Sequence, residues 1–289
     1  MRGFFLFLEM AKSKIKKVQF KRECIFCSGS PLSEQHCIPN WIEKEFPEGR
    51  IHHNNFRATA INSNGTIYLT PETIYRQGRL GVKRLKIVCE KCNNHWMSII
   101  ENEAKPIVIK LVNNEQYMLT LKEREIIATW MMLVTIIFEN DQPNTKAVDK
   151  AERDFLYQNL MPTDNWEFYL GKSDEDERFK RRLFHQGFQL EPKETVKSGN
   201  VGRKCNYQLT LLGINGMVLM ARYLRSDRIK LSTDDIINKN FIKIWPLKID
   251  GDLGIDNTLI SFEIIEKVIV DLPEVTSLTG EKQTIGFTY

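Results

Sequence analysis

A Cys-x-x-Cys pair opens the stretch CEKCNNHWMS at residues 89–98, and a second pair, CIFC, stands at residues 24–27. Two-residue spacing lets both thiolates of a pair bind one ion, and two pairs complete the tetrahedral sulfur site that zinc prefers. The sequence therefore predicts a structural zinc site with four ligands, Cys24, Cys27, Cys89 and Cys92. Disulfide bonds are the alternative, which an intracellular chain disfavours.

Two features of cysteine spacing qualify this prediction. The 61 residues between Cys27 and Cys89 exceed the usual zinc-finger loop, so an insertion must lie inside the site. Cys37 and Cys205 have no paired partner and are interpreted as small buried apolar side chains.

The residues beside each pair carry a resemblance. The first pair is followed by PLSEQHCIP (residues 31–39), and the second by NNHWMSIIE (residues 93–101). In this order the sequence resembles the HNH endonucleases of the ββα-metal fold, in the subgroup braced by a four-cysteine zinc site. Residues 92–101 are similar to the signature Cys-Asn-Asn-Gly-Trp-Met-Ser-x-Leu-Glu, with His95 in place of Gly. The resemblance covers residues 24–112.

The resemblance implies a set of catalytic residues. His36 is implied as the general base that activates a water, a task suited to a side chain that titrates near neutrality. Asn93 is implied as an amide ligand of one divalent cation, Mg²⁺ or Mn²⁺, with Asn94 as its adjacent alternative. Asn93 is also expected to open a helix whose unpaired N–H groups point toward the phosphate. Zinc would be structural and would hold His36 facing Asn93.

Gln35 departs from the family pattern, which has Asp or Glu immediately before the catalytic histidine. A neutral amide is a poorer Mg²⁺ ligand than a carboxylate. Along an extended strand Glu34 points the same way as His36, and Gln35 the opposite way. Three alternatives are open: Gln35 coordinates through its oxygen, Glu34 or Glu101 supplies the carboxylate, or the nuclease is inactive.

The net charge of +4 is unevenly distributed along the chain. Residues 1–112 contain 18 Lys and Arg against 10 Asp and Glu, whereas residues 113–289 contain 23 against 27. A basic front half predicts a polyanionic partner, which the resemblance implies is DNA. Its Lys and Arg residues would make sequence-independent contacts with phosphate. The candidate contact residues are Lys14, Lys16, Lys17, Arg76, Arg79, Lys83, Arg84 and Lys86, together with His95 within the motif.

Residues 113–289 carry no catalytic spacing and predict helices followed by a small antiparallel sheet. Thr120–Glu123 reads as a capping box that starts a long helix to about Asn140, and Asn215-Gly216 predicts a hairpin turn. The predicted fold class is α+β: a basic arm (1–22), a zinc-braced ββα-metal nuclease domain (23–112) and an α+β accessory domain (113–289). The longest apolar run is too short to span a bilayer, and the protein is expected to be cytoplasmic.

The sequence thus predicts a metal-dependent HNH endonuclease acting on duplex DNA, with a role in defence compatible with that activity. The alternative is a zinc-ribbon protein that binds nucleic acid without cleaving it. A purely structural zinc protein is a third possibility. It would leave unexplained the basic residues of the arm at residues 1–22 and those at residues 76–86.

Overall fold

An antiparallel hairpin formed by distant segments organises the front of the chain. The structure, a computed structural model, describes residues 23–47, 53–55, 60–63, 66–69, 76–78, 80–113, 117–141, 146–173, 181–188, 205–225, 229–231, 234–247, 251–255, 259–270, 275–277 and 282–283. The predicted arm at residues 1–22 lies outside these ranges. The front elements are β1 (Leu32–His36), α1 (Asn40–Glu45), β2 (His53–Asn55), β3 (Ala60–Ser63), β4 (Thr66–Leu69), β5 (Arg76–Gly78), a 3₁₀ turn (Leu80–Val82) and β6 (Arg84–Cys89).

Strand β1 pairs with β6, so the segment between them is an excursion from one hairpin. The register runs from Leu32 opposite Cys89 to His36 opposite Arg84, with an irregularity between Ser33 and Gln35. Within the excursion β2 pairs with β5 and β3 with β4, both antiparallel. Strands therefore occupy part of the insertion that the cysteine spacing predicts.

One continuous helical segment follows β6. It consists of α2 (Glu90–Cys92), a π-helical stretch (Asn93–Met97) and α3 (Ser98–Asn113). Its buried side chains recur every three or four residues, as a helix packed on one face requires; they include Trp96, Met97, Ile100, Ala104, Ile107, Val108 and Leu111. The predicted motif helix is confirmed, although it begins earlier than Asn93.

The rest of the chain adds helices and a mixed sheet. The elements are β7 (Tyr117–Leu119), α4 (Leu121–Glu139), α5 (Lys150–Asn159), β8 (Trp166–Ser173), β9 (Arg181–Phe188), β10 (Tyr207–Ile214), β11 (Met217–Leu224), β12 (Ile229–Leu231), α6 (Asp234–Asn240), β13 (Ile242–Trp245), β14 (Leu253–Ile255), β15 (Leu259–Ile260), α7 (Phe262–Val270), β16 (Val275–Ser277) and β17 (Lys282–Gln283). The main sheet has the antiparallel order β13-β8-β11-β10-β9, and β15 runs parallel to β8. The described residues thus form an α+β fold.

Helix α4 packs on one face of this sheet. Thr120 Oγ1 accepts a hydrogen bond from the Glu123 N–H at 3.2 Å, and Glu123 Oε2 accepts one from the Thr120 N–H at 3.0 Å. The predicted capping box is therefore confirmed. From Ile127 to Glu139 every side chain is buried, because α3, α5 and the sheet pack around the helix and Trp41 of α1 lies against Trp130, with ring centroids 5.9 Å apart. Helices α6 and α7 cover the opposite face of the sheet. There Ile237, Ile265 and Val268 form a separate apolar cluster with sheet residues such as Leu209 and Met220.

The predicted hairpin turn is also confirmed. Strands β10 and β11 pair in register from Tyr207 opposite Leu224 to Ile214 opposite Met217. Asn215 and Gly216 between them have φ values of 45° and 84°. Positive φ at both central residues is the requirement of a type I′ turn, which Asn-Gly satisfies at low cost.

The apolar core is continuous across residue 112. One cluster of packed side chains includes Cys24, Met97, Trp130, Trp166 and Ile255. Division into a nuclease and an accessory domain stays a prediction. No helix in the described part of the chain combines the length and apolarity needed to cross a membrane.

Candidate functional site

The four cysteines predicted to bind metal converge at one end of the β1–β6 hairpin. Their sulfur atoms all lie within 4.8 Å of one another. Cys27 Sγ is 3.5 Å from Cys89 Sγ and 3.4 Å from Cys92 Sγ. Four sulfur atoms converging on one point are the ligand set of a closed tetrahedral site. The cluster is compatible with one structural metal ion.

Local backbone geometry places these sulfur atoms. In the first pair the Cys24 N–H donates to the Gly29 carbonyl at 3.1 Å, closing a tight turn. In the second pair Cys89 occupies the N-cap of α2, and its Sγ accepts a hydrogen bond from the Cys92 N–H at 3.4 Å. A Cβ added to Gly29 would lie 3.1 Å from Cys27 Sγ. Glycine is therefore the residue that lets the turn approach the sulfur so closely.

The thiols are not electrostatically equivalent. Burial raises the pKa of Cys92 and of Cys27. Burial also acts to raise the pKa of Cys89, but hydrogen bonds from the Cys92 N–H and neighbouring thiols outweigh it, so the Cys89 pKa is lowered. The lowered pKa of Cys89 favours its thiolate, the form that binds metal.

The first cysteine pair is packed against the rest of the chain. The Phe26 and Trp96 rings meet edge to face with centroids 4.9 Å apart, and Trp96 meets Tyr157 of α5 at 5.7 Å. Arg153 of α5 donates from Nε to the Ile25 carbonyl at 3.3 Å. The cysteine cluster is thus braced by α5 as well as by the hairpin.

His36 is held at the opposite end of β1. Its Nδ1 lies 3.1 Å from the Gly81 carbonyl, and Arg84 donates from Nε to its Nε2 at 3.0 Å. A carbonyl only accepts, so Nδ1 carries the proton and Nε2 carries the lone pair. Arg84 also pairs with Glu34 at 3.3 Å. As expected from strand alternation, His36 and Glu34 reach the same partner.

The side chains of Gln35 and Asn93 bond to groups other than His36. Gln35 is 6% exposed and donates from Nε2 to Glu101 Oε1 of α3 at 3.2 Å. Burial raises the pKa of Glu101 to about 7, against a lowering contribution from the Gln35 hydrogen bond. Asn93 donates from Nδ2 to Ser33 Oγ at 3.1 Å. The structure therefore joins His36 with Arg84 and Gln35 with Glu101, and it directs the Asn93 amide to Ser33 rather than toward His36.

The expected position of Asn93 at the helix start is wrong. The helix begins at Glu90, because Cys89 caps it and accepts the Cys92 N–H through sulfur. The Glu90 N–H donates to the Pro31 carbonyl at 3.2 Å. The positive end of the helix dipole therefore lies at the cysteine cluster, where it favours thiolate charge, and not at a phosphate beside Asn93.

The residues predicted to contact phosphate lie in several different elements of the fold. Asn94 and His95 are exposed in the π-helical stretch, Lys86 is exposed on β6, and Arg76 lies in β5. Four more predicted contacts lie outside the described residues: Lys14, Lys16, Lys17 and Arg79.

Lys83 forms a contact that the sequence did not indicate. Its ammonium pairs with Asp141 at the end of α4, a carboxylate with 7% side-chain exposure, and lies 5.5 Å from the centroid of the Phe138 ring. Its charge is already neutralised by this pair. Lys83 therefore ties the start of β6 to α4, a role distinct from the predicted contact with phosphate.

The partners of His36 were also missed. Gly81 and Arg84 lie far from His36 in sequence, and only the β1–β6 register brings them together. Two cysteine pairs flanking an excursion indicate such a hairpin, but the irregularity at Ser33–Gln35 decides which residue faces His36.

Neither a protein-family model, nor a curated protein, nor a solved structure matches this chain.

Proposed function

We propose that the chain is a metal-dependent endonuclease of the HNH type, braced by structural zinc, that hydrolyses phosphodiester bonds of duplex DNA. The observation that carries this proposal is the setting of His36. Its Nδ1–H is engaged by the Gly81 carbonyl, and Nε2 presents a lone pair beside the guanidinium of Arg84. A histidine kept in one tautomer next to an anion-binding side chain suits proton abstraction at a phosphate.

The reaction forms a bond between phosphorus and the attacking water oxygen and breaks the bond to the 3′ oxygen. His36 Nε2 accepts the proton that the water loses, and the 3′ oxygen leaves as a hydroxyl after taking a proton from solvent. Arg84 exchanges Nε2 for the non-bridging phosphate oxygens, which a guanidinium binds in bidentate fashion. The products carry 5′-phosphate and 3′-hydroxyl ends.

Two kinds of metal ion fit two donor sets of this chain. The four sulfur atoms of the cysteine cluster suit zinc, which favours tetrahedral thiolate coordination. The resemblance implies oxygen ligands for a hard cation such as Mg²⁺ or Mn²⁺, from the side chain at position 35 and from the amides Asn93 and Asn94. When bound, such a cation neutralises charge that develops on the phosphate and the leaving oxygen.

A second candidate is a zinc-ribbon protein that binds nucleic acid without cleaving it. Two observations favour it. The Asn93 amide is engaged by Ser33, and a neutral amide stands at position 35 where the resemblance implies a carboxylate. In that case His36 and Arg84 would serve as a polar pair on the hairpin.

Supercoiled plasmid DNA incubated with Mg²⁺ or Mn²⁺ distinguishes these candidates. We expect nicked and linear products with the wild-type chain and none with His36→Ala, with zinc content and circular dichroism unchanged. A gel shift in buffer without added Mg²⁺ or Mn²⁺, which leaves the structural zinc in place, should show equal DNA binding by both proteins. Binding without cleavage by wild type would favour the second candidate, and equal cleavage by both proteins would refute the role of His36.

A further inference from the structure

Glu101 is a carboxylate placed against the hairpin without a cationic neighbour. It lies partly buried in α3, and its hydrogen-bond partner is the amide of Gln35 at 3.2 Å. Among the described residues no Lys or Arg pairs with it. Lys105, one helical turn further along, pairs instead with Glu45 at 2.7 Å.

Removing a carboxylate from water is costly unless an opposite charge and hydrogen bonds replace the lost hydration. One hydrogen bond from a neutral amide replaces only part of it. Gln35 is itself 6% exposed, so its polar head group also depends on this contact. The pair is therefore a shielded carboxylate held by one neutral donor, and a small cation would supply the missing opposite charge.

We propose that Glu101 and Gln35 together bind one hard divalent cation, with Glu101 supplying the carboxylate that position 35 lacks. Rotation of the Gln35 amide by half a turn presents Oε1 where Nε2 now lies, since the two atoms occupy equivalent positions. The 3.2 Å between the paired atoms is close to the separation of ~3 Å between adjacent ligands of an octahedral ion with bonds of about 2.1 Å.

Glu34 lies next to Gln35 in β1, but its contacts direct it away from this site. It is paired with Arg84, and its side chain is 63% exposed. It reaches the same partner as His36, whereas Gln35 reaches α3. The cation is therefore assigned to the side of β1 that faces the helix, one residue from the general base.

The role of this cation in hydrolysis rests on the proposed function, but its binding does not. The test is a titration of the full-length, zinc-loaded protein with Mn²⁺ in the absence of DNA, followed by the electron paramagnetic resonance signal of free Mn²⁺. The proteins are wild type, Glu101→Gln, Gln35→Glu and Glu103→Gln. Glu103 is exposed two residues from Glu101 on the same helix and provides the matched control.

We expect Glu101→Gln to weaken one Mn²⁺ site by more than about tenfold, the lower end of what even an outer-shell partner contributes to a metal site. Glu103→Gln should leave that site unchanged, and Gln35→Glu should tighten it, since a second carboxylate is added. Mg²⁺ should compete for the same site. If Glu101→Gln does not fold, the direction of the Gln35→Glu effect decides.

Equal Mn²⁺ affinity in wild type and Glu101→Gln, no tightening in Gln35→Glu, or no bound Mn²⁺ in wild type would overturn the proposal. These results are separable from the plasmid assay. Cleavage by wild type with Mn²⁺ binding independent of Glu101 would refute this site and leave the nuclease. Mn²⁺ binding through Glu101 without cleavage would refute the nuclease and leave the site.

Discussion

Replacing His185 by glutamine should change how protein stability depends on pH. The imidazole lies buried in β9 beneath α4, with its ring 5.6 Å from that of Phe138. Thr210 Oγ1 donates to Gln208 Oε1 at 2.9 Å and lies 2.8 Å from His185 Nδ1. The Thr210 hydroxyl therefore accepts from Nδ1–H, and the buried Nε2 has no hydrogen-bond partner among the described residues.

Burial lowers the pKa of His185 from 6.5 to about 4, with the charge of Asp141 acting in the opposite direction. Well above pH 6.5 the imidazole is neutral in both the folded and the unfolded chain, so its titration does not change the free energy of unfolding. As the pH falls from 6.5 toward 4, the unfolded chain binds a proton that the folded chain does not, so stability is lost. A shift of roughly two and a half units corresponds to about 3 kcal/mol, at ~1.4 kcal/mol for each unit.

Glu139 produces the opposite trend, which makes a difference measurement necessary. Burial raises the pKa of its carboxyl from 4.5 to about 7, although the N–H groups of Ala147 and Val148 donate to it. Its contribution is therefore present below pH 4.5 and is lost as the pH rises toward 7. Wild-type stability alone mixes both titrations and any loss of metal from the cysteines in acid.

The measurement is urea unfolding of wild type and His185→Gln at pH 7, 6, 5 and 4. Effects common to both proteins cancel in the difference between their free energies of unfolding. The advantage of wild type over the variant should shrink by about 3 kcal/mol between pH 7 and pH 4. In the same series with Glu139→Gln, the advantage of wild type over the variant should instead grow as the pH falls from 7 to 4. A wild-type advantage that stays constant across this range would show that folded His185 takes up a proton, which would refute the reasoning.

Two further predictions concern the bracing of the site. Gly29→Ala brings a methyl group to 3.1 Å from Cys27 Sγ, so it should weaken metal retention by on the order of 1 kcal/mol, or about fivefold, in competition with a chromogenic chelator; unchanged retention would contradict the close approach. Lys83→Met and Asp141→Asn, alone and combined, should reveal a coupling of about 1–3 kcal/mol in a double-mutant cycle of unfolding free energies, because the pair is largely buried. Additive effects would show that the pair contributes no net coupling.

Features governed by short stretches of sequence could be predicted. The capping box at Thr120, the Asn215-Gly216 turn and the two-residue spacing within each cysteine pair depend on residues a few positions apart and on their own stereochemistry. These patterns also yielded the α+β class. The cysteine pairs further implied that the ends of the excursion meet, since four sulfur atoms cannot converge otherwise.

The partners of His36 depended on a register that sequence alone does not determine. With Leu32 opposite Cys89, a regular ladder would place Leu85 opposite His36. The irregularity between Ser33 and Gln35 moves the pairing by one residue, so that Arg84 faces His36 instead. A shift of one residue exchanges the two faces of a strand, and here it exchanges an apolar neighbour of the histidine for a guanidinium.

The segment between β1 and β6 can be replaced without disturbing the hairpin, because its two ends are held together. The Cys37 N–H donates to the Lys83 carbonyl at 2.9 Å, directly beside the paired residues His36 and Arg84. The chain therefore leaves and re-enters the hairpin at one point. Doubling the length of the part beyond α1 costs only about 0.6 kcal/mol of closure entropy. Segments of other lengths and sequences can thus be accommodated there while the histidine and its arginine keep their mutual position.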